Sequence, residues 1–185
     1  ERRRILHARV VEAIERLYPD RLTEQVERLA HHTVRGQLWN KAVGYLGDAG
    51  RKAVGRSAFR DGASFFEAAL GALRHLSEGR ESLEQAIDIR ISLNNSLYAV
   101  GDLHGGLLHL REAADLARKL GDDRRLARAL VFIASSVWVT GDALEARELV
   151  RSTLVIAEAL ADRTLTFMAN HTLAIVGFLL GDYNE

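Results

Sequence analysis

Three Gly-Asp dipeptides, Gly101-Asp102, Gly141-Asp142 and Gly181-Asp182, recur every 40 residues (101 to 141 to 181), and their surroundings recur with them. Eight positions before each glycine stand Leu93, Ile133 and Leu173. Four before stand Leu97, Val137 and Gly177, and three before stand Tyr98, Trp138 and Phe178. A second register agrees, because Leu116-Ala117 with Asp122 is echoed by Ile156-Ala157 with Asp162. Self-similarity at a fixed period is the mark of stacked like units. Such arrays bind more often than they catalyse.

The period places helices. A Gly-Asp pair supplies a left-handed C-terminal turn from the glycine and an N-cap for the next helix from the aspartate. Asp142 and Asp182 each have a glutamate three residues on, Glu145 and Glu185, as in a capping box. Helices are expected near 83–100, 103–120, 124–140, 143–160 and 163–180, with return turns at Gly121-Asp122 and Ala161-Asp162. Upstream, Ile5, Leu6, Val11, Ile14 and Leu17 set a helical spacing over 3–18 that Pro19-Asp20 stops. Thr23 is expected to begin a second helix to about Arg35, followed by helices over 38–56 and 59–75. Ser82 with Gln85 reads as a capping box opening the next one. No segment carries a strand pattern.

Composition excludes several classes. The 25 basic and 25 acidic residues cancel, which argues against a general nucleic-acid binder. There is no cysteine, hence no disulfide framework and no thiolate metal site. Apolar stretches such as Ala129–Val139 and Leu173–Leu180 are too short to span a bilayer. The opening Glu1-Arg2-Arg3-Arg4 has no apolar h-region, so a cytoplasmic location is expected. The chain also lacks an initiator methionine and stops partway through a repeat, and so reads as a piece of something longer.

The repeated residues resemble the tetratricopeptide repeat. One copy reads Leu93-Asn94, Leu97, Gly101-Asp102-Leu103, Gly106, Leu110 and Ala113; the next reads Leu130, Ile133-Ala134, Val137, Gly141-Asp142-Ala143, Ala146, Val150 and Thr153. A third begins Leu173-Ala174, Gly177 and Gly181-Asp182-Tyr183. An earlier, more degenerate copy reads Leu46, Ala49-Gly50, Ala53, Phe59, Gly62, Phe66 and Ala69-Leu70. The resemblance covers residues 23–185 and implies an all-α, right-handed superhelix of helical hairpins, truncated within its last repeat. The 40-residue period exceeds the family's usual length, and the helix-ending proline is missing. Both departures resemble the longer-helix variants found beside regulatory ATPases. The start, Glu1-Arg2-Arg3-Arg4-Ile5-Leu6-His7 with Ala13-Ile14-Glu15 and Leu29-Ala30-His31-His32, looks like the junction between a signalling ATPase module and its repeats, with residues 1–22 as the N-terminal helix at that junction. Such chains often carry a class III nucleotide cyclase.

No phosphate-cradling G-x-x-x-x-G-K-[ST] loop and no G-x-G-x-x-G after a strand is present. His31 and His32 are adjacent, point about 100° apart on a helix, and are not expected to form a two-ligand face. His104 and His109, five apart, also fail the spacing, so no metal or cofactor is expected. Asp122-Asp123 and Asp102 with Glu112 are the carboxylate pairs, and capping explains them better than acid–base work. Ser135-Ser136 has no neighbouring base in sequence. No catalytic constellation emerges, and this chain is read as a non-enzyme.

Tyr98, Trp138 and Phe178 form the strongest binding candidate, an aromatic ladder at one position of helix A. In the resembling family that helix lines the concave groove. Asn95, Ser135 and Ile175 lie one turn earlier, and Ile91, Val131 and His171 a further turn back. Packing between helices explains the ladder equally well. Arginine supplies 22 of the 25 basic residues. Arg51 and Arg128 would line the same groove and grip an acidic peptide or phosphate, against the plainer reading of a solvated, ion-paired face.

The expected function is a protein-interaction or regulatory module of a larger cytoplasmic signalling protein. Its partner would be a protein, a peptide or an adjacent domain of the same chain, with no nucleic acid and no membrane. A small-effector-sensing domain of a transcription regulator and an oligomerisation scaffold are the alternatives. The last helix, with Phe167, Leu173, Ile175, Val176, Phe178 and Leu179, is expected to bury its bare face in a homodimer.

Overall fold

The computed structural model describes residues 1–181. Among them there is helix and no strand: α1 (Arg2–Leu17), a 3-10 segment (Pro19–Glu24), α2 (Val26–Gly36), α3 (Trp39–Gly55), α4 (Phe59–Leu73), α5 (Arg80–Ala99), α6 (Leu103–Leu120), α7 (Asp123–Val139), α8 (Ala143–Ala159) and α9 (Arg163–Leu180). The chain divides into two compact units, Glu1–Gly101 and Asp102–Glu185. Within each unit successive helices pack on one another, α1 on α2 through α4 on α5, and α6 on α7 through α8 on α9. In the second unit α7 also touches α9, which puts alternate helices side by side. The all-α repeat architecture expected from the 40-residue period is present.

One turn design joins most of these helices. Gln37 and Ser57 in the first unit, and Gly121, Gly141 and Ala161 in the second, all take left-handed φ, between 49° and 104°. The next residue then donates its N–H five residues back: Leu38 to the Thr33 carbonyl, Ala58 to Ala53, Asp122 to Ala117, Asp142 to Val137 and Asp162 to Ala157. This is the Schellman closure, which satisfies carbonyls orphaned at a helix end. Its acceptors are small side chains apart from Val137, and all five are buried. Compact residues there let adjacent helices cross closely. Gly181 also has positive φ, while the expected Asp182-Tyr183 turn and the Asp182–Glu185 cap lie outside the described residues.

The core of the first unit is built on Phe66 of α4, packed with Leu46, Leu93 and Leu97 from the helices on either side. A Cβ on Gly50 of α3 would come 2.6 Å from the Phe66 ring, so α3 offers a bare backbone where the phenyl sits. A smaller cluster of Val11, Ile14 and Leu29 fastens α1 to α2. In the second unit Leu110 is fully buried, and most of the other deepest positions hold smaller residues: Ala113, Ala117, Ala127, Ala134, Val150, Ala157 and Val176. Thr33 and Thr153 are fully buried, and each hydroxyl donates to a carbonyl four residues back in its own helix, 2.8 and 2.9 Å away. That bond removes the cost of an unpaired buried hydroxyl.

Two local expectations need correction. The second helix starts at Val26 and not at Thr23, because Pro19 opens a 3-10 segment through Glu24 whose Arg21 departs from helical φ/ψ. Ser82 does not cap α5 from the N-cap position. The helix begins at Arg80, and Ser82, in its first turn, accepts the Gly79 N–H at 2.9 Å. The sequence pattern correctly marked a helix start but displaced it by a turn.

Candidate functional site

The left-handed glycines fix where the aromatic candidates stand, since Tyr98, Trp138 and Phe178 each precede one of Gly101, Gly141 and Gly181 by three residues. Tyr98, at the end of α5, is 44% exposed and belongs to the first unit. Trp138 and Phe178 belong to the second; Trp138 is half-buried and Phe178 is 69% exposed. Asn95 is exposed on α5. Ser135 is turned into the α7–α9 seam: its hydroxyl donates to the Val131 carbonyl at 2.9 Å and lies 3.5 Å from the Thr172 hydroxyl. It is a helix-to-helix contact in this structure. Ile91 and Val131 are buried, Ser135 and Ile175 half-buried, and Asn95 and His171 exposed, so the stripe one and two turns back is part core and part surface.

Solvent-facing apolar groups gather instead on α9. Phe167 is 71% exposed, His171 stacks against it with ring centroids 6.4 Å apart, and Phe178 and Leu179 follow. Phe167 and Phe178 are 11 residues apart (178 − 167), close to three full turns of helix, and so share a face. The same helix buries Leu165, Ala169, Thr172 and Val176 on its other side.

Arg128 does not join the aromatic end. It stands ten residues before Trp138 on α7 (138 − 128), roughly 15 Å along the axis at the usual rise per residue. There it lines a cleft of about 480 Å³ with Arg124, Arg125, Asp122 and Asp162. Asp162 caps α9, accepting the Thr164 and Leu165 N–H groups, and pairs with Arg124 at 2.6 Å. The Leu165 N–H and the Arg124 guanidinium hold its carboxyl below the ordinary aspartate range. Asp122 caps α7 through the Arg125 N–H and pairs with the Arg125 guanidinium at 2.7 Å. Asp102 accepts the Gly105 N–H at 2.9 Å. Of the carboxylates weighed for acid–base chemistry, Asp122 and Asp102 are caps, while Asp123 opens α7 and Glu112 lies within α6, 4.0 Å from His109. Arg51, in the first unit, is held by Asp48 at 2.6 Å beside a cleft of about 720 Å³ lined by Leu22, Val26, Tyr45 and Lys52.

Two clusters were invisible in the sequence pattern. Glu15 of α1 accepts the Tyr45 hydroxyl at 2.7 Å and pairs with Lys41 at 2.6 Å. Burial pushes Glu15 up, but the hydrogen bonds from Lys41 and Tyr45 outweigh it and leave the carboxyl below its usual range. Tyr45 is driven well above the ordinary phenol value by burial and by its bond to Glu15.

The second cluster corrects the geometric argument against the paired histidines. His7 of α1 reaches His31 and His32 on α2, and one potential ligand atom from each of the three lies within 4.8 Å of the others. His7 Nδ1 and His32 Nδ1 are 2.7 Å apart. Burial, and then the neighbouring His7, His31 and Arg28, hold His32 below the usual imidazole value. A search of α2 alone could not find this site, because the third ring comes from 25 residues upstream (32 − 7).

No helix among the described residues is long and apolar enough to cross a membrane. No family model matches the chain, and no curated protein matches it. Among solved structures it is similar to BtubC (BKLC) from P. vanneervenii, with a TM-score of 0.70 and 16% identity over 99% of this chain and 85% of that one. At that identity the likeness bears on the fold alone, and there it agrees with an all-helical, repeat-like architecture.

Proposed function

We propose that this chain is a non-catalytic, tetratricopeptide-type interaction module of a larger cytoplasmic signalling protein, ATPase- or cyclase-linked, that binds a protein or peptide partner. The observation supporting this is the α9 face, where Phe167 and Phe178 are 71% and 69% exposed on one side of a helix whose other side is core. Leaving such rings in water forfeits roughly 1.5–3 kcal/mol for each side chain that burial would recover. Large apolar groups exposed along one face of a helix mark interaction sites. Regulation follows if the partner binds one state of the larger protein better than another, since only differential affinity shifts an equilibrium.

A photoreactive benzoylphenylalanine placed at position 178 in cells tests the reading. Expected is an adduct to a defined protein segment, lost when Phe167→Ser is added and absent from the same probe at exposed Glu158. Adducts at 178 no more abundant than at 158 would overturn it. An adduct to a second copy of this chain would mark α9 as the homodimer face, and so favour the scaffold alternative over the regulatory one.

A further inference from the structure

We propose that His7, His31 and His32 bind one divalent transition-metal ion of the zinc and nickel class, one nitrogen from each ring, with a coordination position left open to solvent. The argument starts from backbone placement. Adjacent residues on a helix diverge by about 100°, so His31 and His32 cannot converge by themselves. His7 stands between them, its ring centroid 5.9 Å from that of His31 and 5.0 Å from that of His32. The two α2 rings are 5.2 Å from each other. A third ring makes a divergent pair into a triangle.

Gly36 sets that triangle. It lies four residues after His32, on the same face of α2. A Cβ there would come 3.1 Å from the Ala8 backbone nitrogen and 3.5 Å from the His7 carbonyl carbon. The missing side chain lets the α1 backbone settle against α2 just where His7 departs from it. All three ligands therefore project from regular helix, whose backbone is more firmly held than a loop's.

The donor set selects the ion. Imidazole nitrogen suits zinc, nickel and copper, whereas magnesium and calcium prefer oxygen. Bonds of about 2.0–2.1 Å in a tetrahedral site place ligand nitrogens about 3.3–3.4 Å apart. The three atoms here span separations up to 4.8 Å, with His7 and His32 at 2.7 Å. Small ring rotations that open the close pair and draw in His31 bring all three to that distance. His31 is exposed while His7 and His32 are half-buried, which provides an access path and leaves room for a water as fourth ligand.

Tag-free protein titrated with Zn²⁺ by calorimetry, and separately with Co²⁺ by visible absorption, tests the site. Expected are one equivalent bound, a Co²⁺ d–d band of tetrahedral intensity, and affinity weakened by roughly tenfold or more in His7→Gln and in His32→Gln. His75→Gln, in a ring stacked on Trp39 elsewhere in the first unit, should leave binding unchanged. Gly36→Ala should weaken binding with every ligand still present. His31→Ala alters an exposed ring, so it reports on the site even if the other variants fold poorly. Binding untouched by His31→Ala, or no saturable binding at micromolar ion, overturns the proposal.

Discussion

The turns of the first unit and those of the second have one backbone shape and two chemistries. Gln37 and Ser57 take left-handed φ of 57° and 60°, values close to the 63° of Gly121. The six-residue closures Leu38 to Thr33 and Ala58 to Ala53 are the same bond as Asp142 to Val137. Yet the first-unit helices start from Leu38 and Ala58, with no side-chain cap, while α6 to α9 are all capped by aspartate. Even the spacing agrees, 37 to 57 in one unit and 121 to 141 to 161 in the other, each step 20 residues. A Gly-Asp pair is therefore one way of meeting a geometric demand that the stacking of hairpins imposes. Packing meets it where the sequence carries no signature.

If that is so, the first unit should depend more on its core. Phe66→Ala should cost about 3–5 kcal/mol, since it empties a site that Gly50 was shaped to admit. Val150→Ala, a fully buried position in the second unit, should cost about 1–3 kcal/mol because fewer methyl groups leave. Urea denaturation of the two variants would break the comparison if their losses came out equal.

The same contrast explains what could be read from the chain beforehand. Helices α5 to α9 fall within about three residues of their expected limits because Gly and Asp announce both sides of each turn. The start of α2 was misplaced, since Thr23 has the chemistry of a cap but sits inside a 3-10 segment set by Pro19. For the site, helical spacing found the exposed Phe178, but it also nominated Ser135, which contact with Thr172 turns into a seam. Spacing marks the bare α9 face through Phe167, Phe178 and Leu179, but it also puts Val176 there, which the structure buries fully. The three histidines could not be derived from spacing within one helix, because they depend on α1 crossing α2 at Gly36.

Caps should transfer between units. Asp142→Ala should cost about 1 kcal/mol by freeing the Glu145 N–H. Ala58→Asp should gain a comparable or smaller amount by supplying α4 with the acceptor it lacks. Far-ultraviolet circular dichroism in a urea series reads both. If Ala58→Asp proved destabilising, the two turns would not be equivalent after all.

Left-handed positions come next. An L-residue there costs roughly 1–2 kcal/mol, and glycine gives back about 0.4–1 kcal/mol through the freedom of the unfolded chain. Ser57→Gly should therefore stabilise by less than about 1 kcal/mol, and Gly141→Ala should destabilise by a similar amount. Ala161→Gly belongs with Ser57→Gly, its φ being 49° despite its place in the second unit. Opposite signs at 57 and 141 are the expected result, measured as shifts in the urea midpoint.

Acid should distinguish the units most subtly. Only carboxylate caps titrate, and Asp162 is held below the ordinary aspartate value by the Leu165 N–H and by Arg124. A depressed folded value means that the unfolded chain takes up the proton first. The contribution of Asp162 is therefore whole above about pH 4. It fades as the pH falls through the lowered folded value, as the cap and the Arg124 pair lose their charge. The Leu165 amide resonance should titrate with a midpoint below the ordinary aspartate value, and the midpoint difference in urea between the parent chain and Asp162→Asn should shrink over the same interval. At the Leu38 turn, where the first turn of α3 carries no acidic residue, the Ala42 amide donates to the Leu38 carbonyl and should show no matching step. A step of equal size at Ala42 would mean that the acid response is global and does not belong to the caps.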